Sequence, residues 1–292
     1  MKKISIYKWN YLFLALLLLF SCNTVPSDDD SNNIRLVYTD WSESIGLTYL
    51  SKILLEEEMG FTVEIKLTDI ASAYNDIAEK KADFFVDAWL PETHKVYLDE
   101  HEGKIETIGI IFSDARTGFV VPEYSRLKSI TDLNSYSYPI VGIDEGAGVM
   151  LKAKKALEIN NLDTQLLVLS EEEMISQFED SIKRRKEIVI TGWAPHWIFA
   201  RYEARFLEDP EFTFGAQENI YTIGYEAIDK IHPRAVRLFE RMQLSKNQLN
   251  ELVFQIQLND DPLIGVRNWL KNNEHIVNQW LKNLKPERKK IM

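Results

Sequence analysis

Short apolar runs typical of β-strands alternate with longer segments of helical periodicity from Ile34 onward. The runs "IRLVYT", "TVEIKL" and "ADFFVDAWL" have the length and the β-branched or aromatic content of buried strands. Between them, apolar positions recur three and four residues apart, as in "IGLTYLSKILLEEEMG". This alternation predicts an α/β fold with a parallel or mixed sheet.

A second series of the same kind begins after Pro122. Its strands are predicted in "PIVGIDEGAG", "QLLVLS" and "EIVITGW", and a helix opens directly after the glycines of the first. Ser170 and Glu173 form a capping-box pattern at the start of the next helix. After "ENIYTIGYEAI" the spacing of apolar residues is helical, so the rest of the chain is predicted to be helical.

Two extended crossings join the two series, near residues 119–122 and 220–225. We therefore expect two lobes hinged on crossing strands. Lobe I is predicted to comprise residues 34–120 and 222–292, and lobe II residues 121–221. In open α/β sheets ligands bind beyond the carboxyl ends of the strands, so the cleft between the lobes is the expected ligand site. Lobes joined in this way can close on a ligand.

The N-terminus has the layout of an export signal, because lysines precede the apolar run "YLFLALLLLF". That run is about half of the ~20 residues that a membrane-spanning helix needs. Residues 1–21 are therefore predicted to be a signal peptide, and the polar residues 22–33 a flexible tether. The motif "LFSC" resembles a bacterial lipobox, which implies that Cys22 is a lipid anchor. The alternative is a free thiol.

Composition narrows the possible partners. The chain has 292 residues, 45% of them hydrophobic, which is enough for one large or two medium domains. Its formal net charge is −11, and no basic stripe precedes the tail "KPERKKIM", so nucleic acid is not an expected partner. Cys22 is the only cysteine, which excludes an intramolecular disulfide.

Tryptophans stand near the carboxyl ends of three predicted strands. Trp41 follows the first strand, Trp89 ends the third, and Trp193 ends "IVITGW". Indole faces that converge on a cleft suit a planar ring or an organic cation, and a quaternary ammonium group gains about 0.5 to 2 kcal/mol per desolvated ring. Three other tryptophans lie in helical patterns and are expected in the core: Trp197, Trp269 and Trp280.

The stretch "GIDEGAGVM" places glycines where a strand turns into a helix. Its first-turn N–H groups, those of Gly148 and Val149, are expected to point into the cleft as an anion site. The stretch lacks the features of a P-loop or of a dinucleotide fingerprint. His94, five residues after Trp89, could donate a hydrogen bond to a carboxylate. His196 is interpreted as structural.

Four stretches, "TDWSES", "DAWLPETH", "GIDEGAGVM" and "TGWAPHW", together resemble the glycine betaine substrate-binding proteins of ABC importers. The resemblance covers nearly all of residues 34–281. It implies a two-lobed type II periplasmic-binding-protein fold in which three tryptophans enclose the ammonium group and one histidine and two N–H groups hold the carboxylate. By motif, these ligand-binding residues are Trp41, Trp89, Trp193, His94, Gly148 and Val149.

The resemblance also implies a role. The expected protein is an exported lipoprotein, facing the periplasm or the cell exterior, that captures glycine betaine or a similar zwitterion for osmoprotectant uptake. Its partners would be the small ligand, an ABC permease and ATPase complex, and the membrane through the lipid anchor. No catalytic residue, metal or cofactor is expected.

Other ligands and another class of protein also fit the sequence. Glu145 stands where many members of the family have proline, and a carboxylate pointing inward there would weaken carboxylate binding. Choline, carnitine or proline betaine are therefore alternative ligands. An exported enzyme acting on a small cationic substrate is an alternative of another class, with Asp87, Asp144 or Glu145 as a base, although the chain lacks nucleophile-elbow and zinc motifs. A structural or adhesin role would not explain the strand-end tryptophans.

Overall fold

A computed structural model of the protein describes residues 32–285. Within them nine strands form one open, mixed sheet in the order β2-β1-β3-β9-β4-β7-β5-β6, with β8 paired to β4. The strands are β1 (Asn33–Tyr38), β2 (Thr62–Leu67), β3 (Phe84–Leu90), β4 (Ile105–Pro122), β5 (Ile140–Gly142), β6 (Leu166–Val168), β7 (Ile190–Ala194), β8 (Ala204–Phe206) and β9 (Glu218–Tyr225). The α/β fold with a mixed sheet is thus confirmed.

Nine α-helices accompany these strands in the described part of the chain. They are α1 (Ser42–Ile53), α2 (Ile70–Ala78), α3 (Lys95–Asp99), α4 (Gly148–Ile159), α5 (Glu171–Lys183), α6 (Ile198–Arg201), α7 (Pro233–Arg241), α8 (Lys246–Gln257) and α9 (Pro262–Trp280). A π-helical turn, Leu54–Glu58, extends α1. None of the helices within residues 32–285 is long and apolar enough to span a membrane.

The sheet has two parallel groups linked by antiparallel strands. In the first group β1 pairs in parallel with β2 and β3. In the second, β5 pairs in parallel with β6 and β7. Because the carboxyl ends of parallel strands lie at one edge, each group delivers the segments that follow its strands to a common edge. The site residues lie in these segments or in the last residues of the strands.

Strand β4 connects the two groups. As far as Ala115 it pairs with β9, and from Arg116 onward it pairs with β7. The change of partner precedes the predicted lobe boundary at residue 121, and the boundaries of the lobes stay predictions. Taken alone, the apolar pattern of "IETIGIIF" and "TGFVVP" predicts two separate runs, whereas the structure has one strand over Ile105–Pro122. Register shifts within β4 break the alternation of apolar and polar residues, which explains the difference.

Helix starts follow their capping signals. Ser170 and Glu173 make both hydrogen bonds of the predicted capping box at α5. Helices α8 and α9 pack against α1, α7 packs against β4, and Trp269 and Trp280 of α9 are buried as predicted. The short elements α6 and β8 have no clear sequence signal. The predicted signal peptide, most of the tether and Cys22 lie outside the described residues.

Candidate functional site

A cavity lies where the carboxyl ends of β1, β3, β5 and β7 face each other. The free space between the residues that line it, counted out to open solvent, is about 280 Å³. All six residues predicted for the site line it: Trp41, Trp89, Trp193, His94, Gly148 and Val149. The structure therefore brings together residues that are up to 152 positions apart in the chain.

Each of the three tryptophans comes from a different strand end. Trp41 follows β1 and precedes α1, Trp89 is the penultimate residue of β3, and Trp193 is the penultimate residue of β7. All three are buried, with exposed fractions of 6%, 3% and 3%. All three line the cavity, and aromatic rings are what a site for an organic cation requires.

Carboxylates hold all three indole N–H groups. The Nε1 of Trp41 donates to Asp144 Oδ2 at 3.0 Å, and the Nε1 of Trp193 donates to Glu43 Oε2 at 2.9 Å. The Nε1 of Trp89 donates to Asp87 Oδ1 at 2.9 Å. A carboxyl group that accepts from each indole N–H holds the direction of that ring.

Two of these carboxylates are fully buried, and burial changes their protonation. Burial raises the pKa of Asp87 to about 8, although the bond from Trp89 opposes the shift. Burial, and then the nearby charge of Asp87, raise the pKa of Glu43 well above its ordinary range. Asp87 is therefore neither a solvated nor a capping residue, because its side chain has no exposed surface and accepts the indole N–H of Trp89.

Two hydrogen bonds join His94 to the backbone of Trp89. Its Nδ1 accepts the Trp89 backbone N–H at 3.1 Å, and its own N–H donates to the Trp89 carbonyl at 2.9 Å. Burial, and then the charge of Lys152, lower the pKa of His94 to about 3. The ring is therefore neutral, and because Nδ1 accepts, its proton lies on Nε2, which can serve as a hydrogen-bond donor.

Gly148 and Val149 begin α4, whose N-terminus reaches the cavity. Their N–H groups belong to the first turn, where no intrahelical acceptor exists. No acceptor elsewhere in residues 32–285 takes their place. Gly148 also lies so close to Thr93 that a Cβ atom would overlap the Thr93 side chain and carbonyl. Only glycine permits this approach of α4.

Glu145 points away from the site. Its side chain is 76% exposed, and its carboxylate pairs with Lys154 at 3.0 Å. The concern that Glu145 weakens an anion site from within is therefore removed.

Sequence reasoning missed several residues of the cavity. Glu43, Thr93, Thr117, Ile143 and Ala147 also line it. The hydroxyl of Thr117 is buried, and no partner in the described chain bonds it. Glu43 lies in the motif "TDWSES", but its hydrogen bond with Trp193, 150 positions further along the chain, could not be predicted from the spacing of residues.

A larger open groove of about 1810 Å³ lies along the centre of β4, beside Arg116, Phe206 and Lys246. Aromatic rings line the groove too, but Phe199 and Phe206 stack on each other and Arg116 covers Phe206, so these faces already have partners. The tryptophan cavity therefore remains the stronger candidate, because polar and aromatic groups converge on a small, enclosed volume there.

The fold and an enclosed cavity between its two parallel groups define the class of two-lobed substrate-binding proteins. The family model described as "Substrate binding domain of ABC-type glycine betaine transport system" matches residues 32–272. The chain belongs to this family.

Individual relatives agree with the family assignment. The chain is 32% identical to the glycine betaine/carnitine transport binding protein GbuC of Listeria monocytogenes over 174 residues, which are 59% of this chain. The match spans 57% of the length of GbuC. Lactococcal OpuAC, in a closed-liganded conformation with glycine betaine, has a TM-score of 0.81 at 34% identity, covering 86% of this chain and 100% of that one. ProX from Borrelia burgdorferi has a TM-score of 0.80 at 27% identity, with 87% and 97% covered.

Proposed function

We propose that this protein is an exported, lipid-anchored receptor that captures glycine betaine and delivers it to an ABC permease and ATPase complex. The observation that carries the proposal is the cavity bounded by Trp41, Trp89 and Trp193. A quaternary ammonium group has no N–H to donate, so aromatic faces are its natural partners. Three faces in one enclosed volume exclude a hydrated metal ion.

The carboxylate of the ligand would face the other wall. The free N–H groups of Gly148 and Val149 and the Nε2–H of His94 are neutral donors on that wall. Donors at a helix N-terminus suit an anion, since the helix dipole favours negative charge there. A zwitterion thereby places its positive end among the indoles and its negative end at α4.

Binding requires no bond to be made or broken, and the proposed action is lobe closure around the ligand. Lobe I would comprise residues 34–120 and 222–292, and lobe II residues 121–221. The anchor would be Cys22, after removal of residues 1–21, and the site would face the periplasm or the cell exterior. Osmoprotectant uptake is the physiological role we assign.

Choline is the second candidate, and the three carboxylates behind the rings favour it. Burial keeps Asp87 and Glu43 protonated at neutral pH without ligand, and a bound cation would favour their ionised forms, whose charge no ligand carboxylate would then oppose. Choline would, however, leave the donors at α4 and His94 without a charged acceptor, at a cost for each unmatched buried donor.

The test is a titration of the soluble form that begins at Asn23. Glycine betaine, choline and tetramethylammonium would be added while heat and tryptophan fluorescence are followed. We expect saturable betaine binding that is tighter than that of either cation lacking a carboxylate. Binding of choline tighter than betaine would favour the second candidate. Turnover of either compound would overturn the receptor proposal.

A further inference from the structure

Glu171 receives hydrogen bonds from both sides of the cleft. It begins α5, after β6, and is 8% exposed. Its Oε2 accepts the backbone N–H of Ser42 at 3.0 Å, and its Oε1 accepts the Ser42 hydroxyl. The Nε2 of His196 lies 3.1 Å from the same Oε1. Ser42 belongs to the first parallel group, whereas Glu171 and His196 belong to the second.

The bond to Ser42 completes a helix that has no cap of its own. The residue before α1 is Trp41, whose side chain makes no capping hydrogen bond. Residues with short polar side chains normally satisfy the free N–H groups of a first turn. Glu171 satisfies one of them from the opposite side of the cleft and places a negative charge at the positive end of α1. The carboxylate of Glu171 is not needed to cap α5, because Ser170 and Glu173 already do so.

His196 extends the connection to a second tryptophan. Its Nδ1 accepts the backbone N–H of Ile198 at 3.1 Å, so in the neutral ring Nε2 carries the proton and donates to Glu171. The ring also meets Trp193 edge to face, with centroids 4.8 Å apart. Glu171 therefore joins the segment that begins with Trp41 to the side chain that supports Trp193.

We infer that Glu171 is a positioning residue that assembles the tryptophan cage when the lobes close, by capping α1 across the cleft. It is not among the residues that line the cavity, so it acts through Ser42 and His196. The inference rests on the proposed function for its ligand. Because Glu171 touches no part of the ligand, its loss is expected to weaken every ligand that needs the closed cage, whether or not that ligand has a carboxylate.

The first measurement compares Glu171→Gln with Glu172→Gln in the form beginning at Asn23. Glu172 is the exposed neighbour on α5, and its change removes the same charge without touching Ser42 or His196. A glutamine at position 171 cannot accept on both terminal atoms. We expect Glu171→Gln to weaken glycine betaine and tetramethylammonium alike, by about tenfold or more, while Glu172→Gln stays within about twofold. Equal losses in the two variants would reduce the effect to net charge and overturn the inference.

A second measurement follows closure of the two lobes directly and does not depend on ligand affinity. The form beginning at Asn23 has no cysteine, so spin labels can be placed at Glu64→Cys and Glu158→Cys, exposed positions on β2 and α4. Without ligand, Glu171→Gln is expected to shift the label distances to longer values, and saturating betaine to restore the short distance. Distances equal to those of the native sequence, both with and without ligand, would contradict the inference.

The same pair of experiments separates the two proposals. If the native sequence bound neither betaine nor tetramethylammonium, the proposed function would fail. The ligand-free distances would still show whether Glu171 holds the lobes together.

Discussion

At the scale of single residues, the directions of the three indole rings depend on the side chains that accept their N–H groups. Asp87 fixes Trp89 and Glu43 fixes Trp193, and each bond sets the direction of an indole face. Strand-end position was enough to predict the tryptophans, because carboxyl ends of parallel strands meet at one edge. The bonds that join Trp193 to Glu43 and Trp41 to Asp144 could not be predicted, because a hydrogen bond across the cleft leaves no periodic mark in the sequence, whereas Asp87 lies two positions before Trp89 on the same face of its strand.

The contribution of one indole face can be measured with a matched pair of variants. Trp89→Leu keeps apolar bulk but removes the π face, and should weaken tetramethylammonium and betaine by about tenfold, given ~1 to 2 kcal/mol for a desolvated ring. Trp280→Leu makes the same change at an equally buried position of α9, outside the cavity. It should lower the melting temperature but leave the Kd unchanged. Equal Kd for native protein and Trp89→Leu would remove Trp89 from the cage.

At the scale of elements, the approach of α4 to the turn after β3 decides whether the cavity can close. The glycine turn was readable from sequence as a strand-to-helix junction. The close approach of Gly148 to Thr93 could not be predicted from the sequence, because it depends on how the two parallel groups of strands face each other. The length of β4 was missed for a related reason, since its bulges interrupt the period-two pattern on which strand prediction relies.

Two glycines of the same turn should respond differently to a methyl group. Gly148→Ala places a Cβ into Thr93 and should weaken betaine by about tenfold or more, since overpacking costs ~1 to 3 kcal/mol. Gly146→Ala serves as the control, because its Cβ would meet Tyr97 Oη at 3.4 Å and Ile70 at 3.8 Å, which are ordinary contacts. Calorimetric titration of both variants gives the comparison. A Gly148→Ala protein with native affinity would show that α4 can withdraw from Thr93 at little cost.

At the scale of the whole molecule, the buried carboxyl groups link folding, pH and ligand. Burial raises the pKa of Asp87 to about 8, far above the ~3.9 expected for the unfolded chain. The native state then holds a proton that the unfolded chain has lost. The stability gained from this proton is fully present below about pH 4 and is lost as the pH rises through about 8.

Melting curves between about pH 5 and about pH 9 test this linkage. Without ligand, the melting temperature should fall towards alkaline pH, and less steeply in Asp87→Asn. A bound cation favours the ionised carboxyl, so the affinity for betaine should rise over the same range. The raised pKa of Glu43 leaves some pH dependence in the variant. An identical pH profile in Asp87→Asn would place the titration elsewhere.

The first turn of α1 is capped by Glu171, which lies in another part of the chain, so the local order of this turn depends on that contact. If the lobes open and close as proposed, the amide proton of Ser42 has no acceptor in Glu171 while they are apart and exchanges with solvent, and it is protected when they meet. Hydrogen exchange at this one amide should therefore follow the fraction of time that the receptor spends open. The chain would thus report its own state at the backbone, without any label.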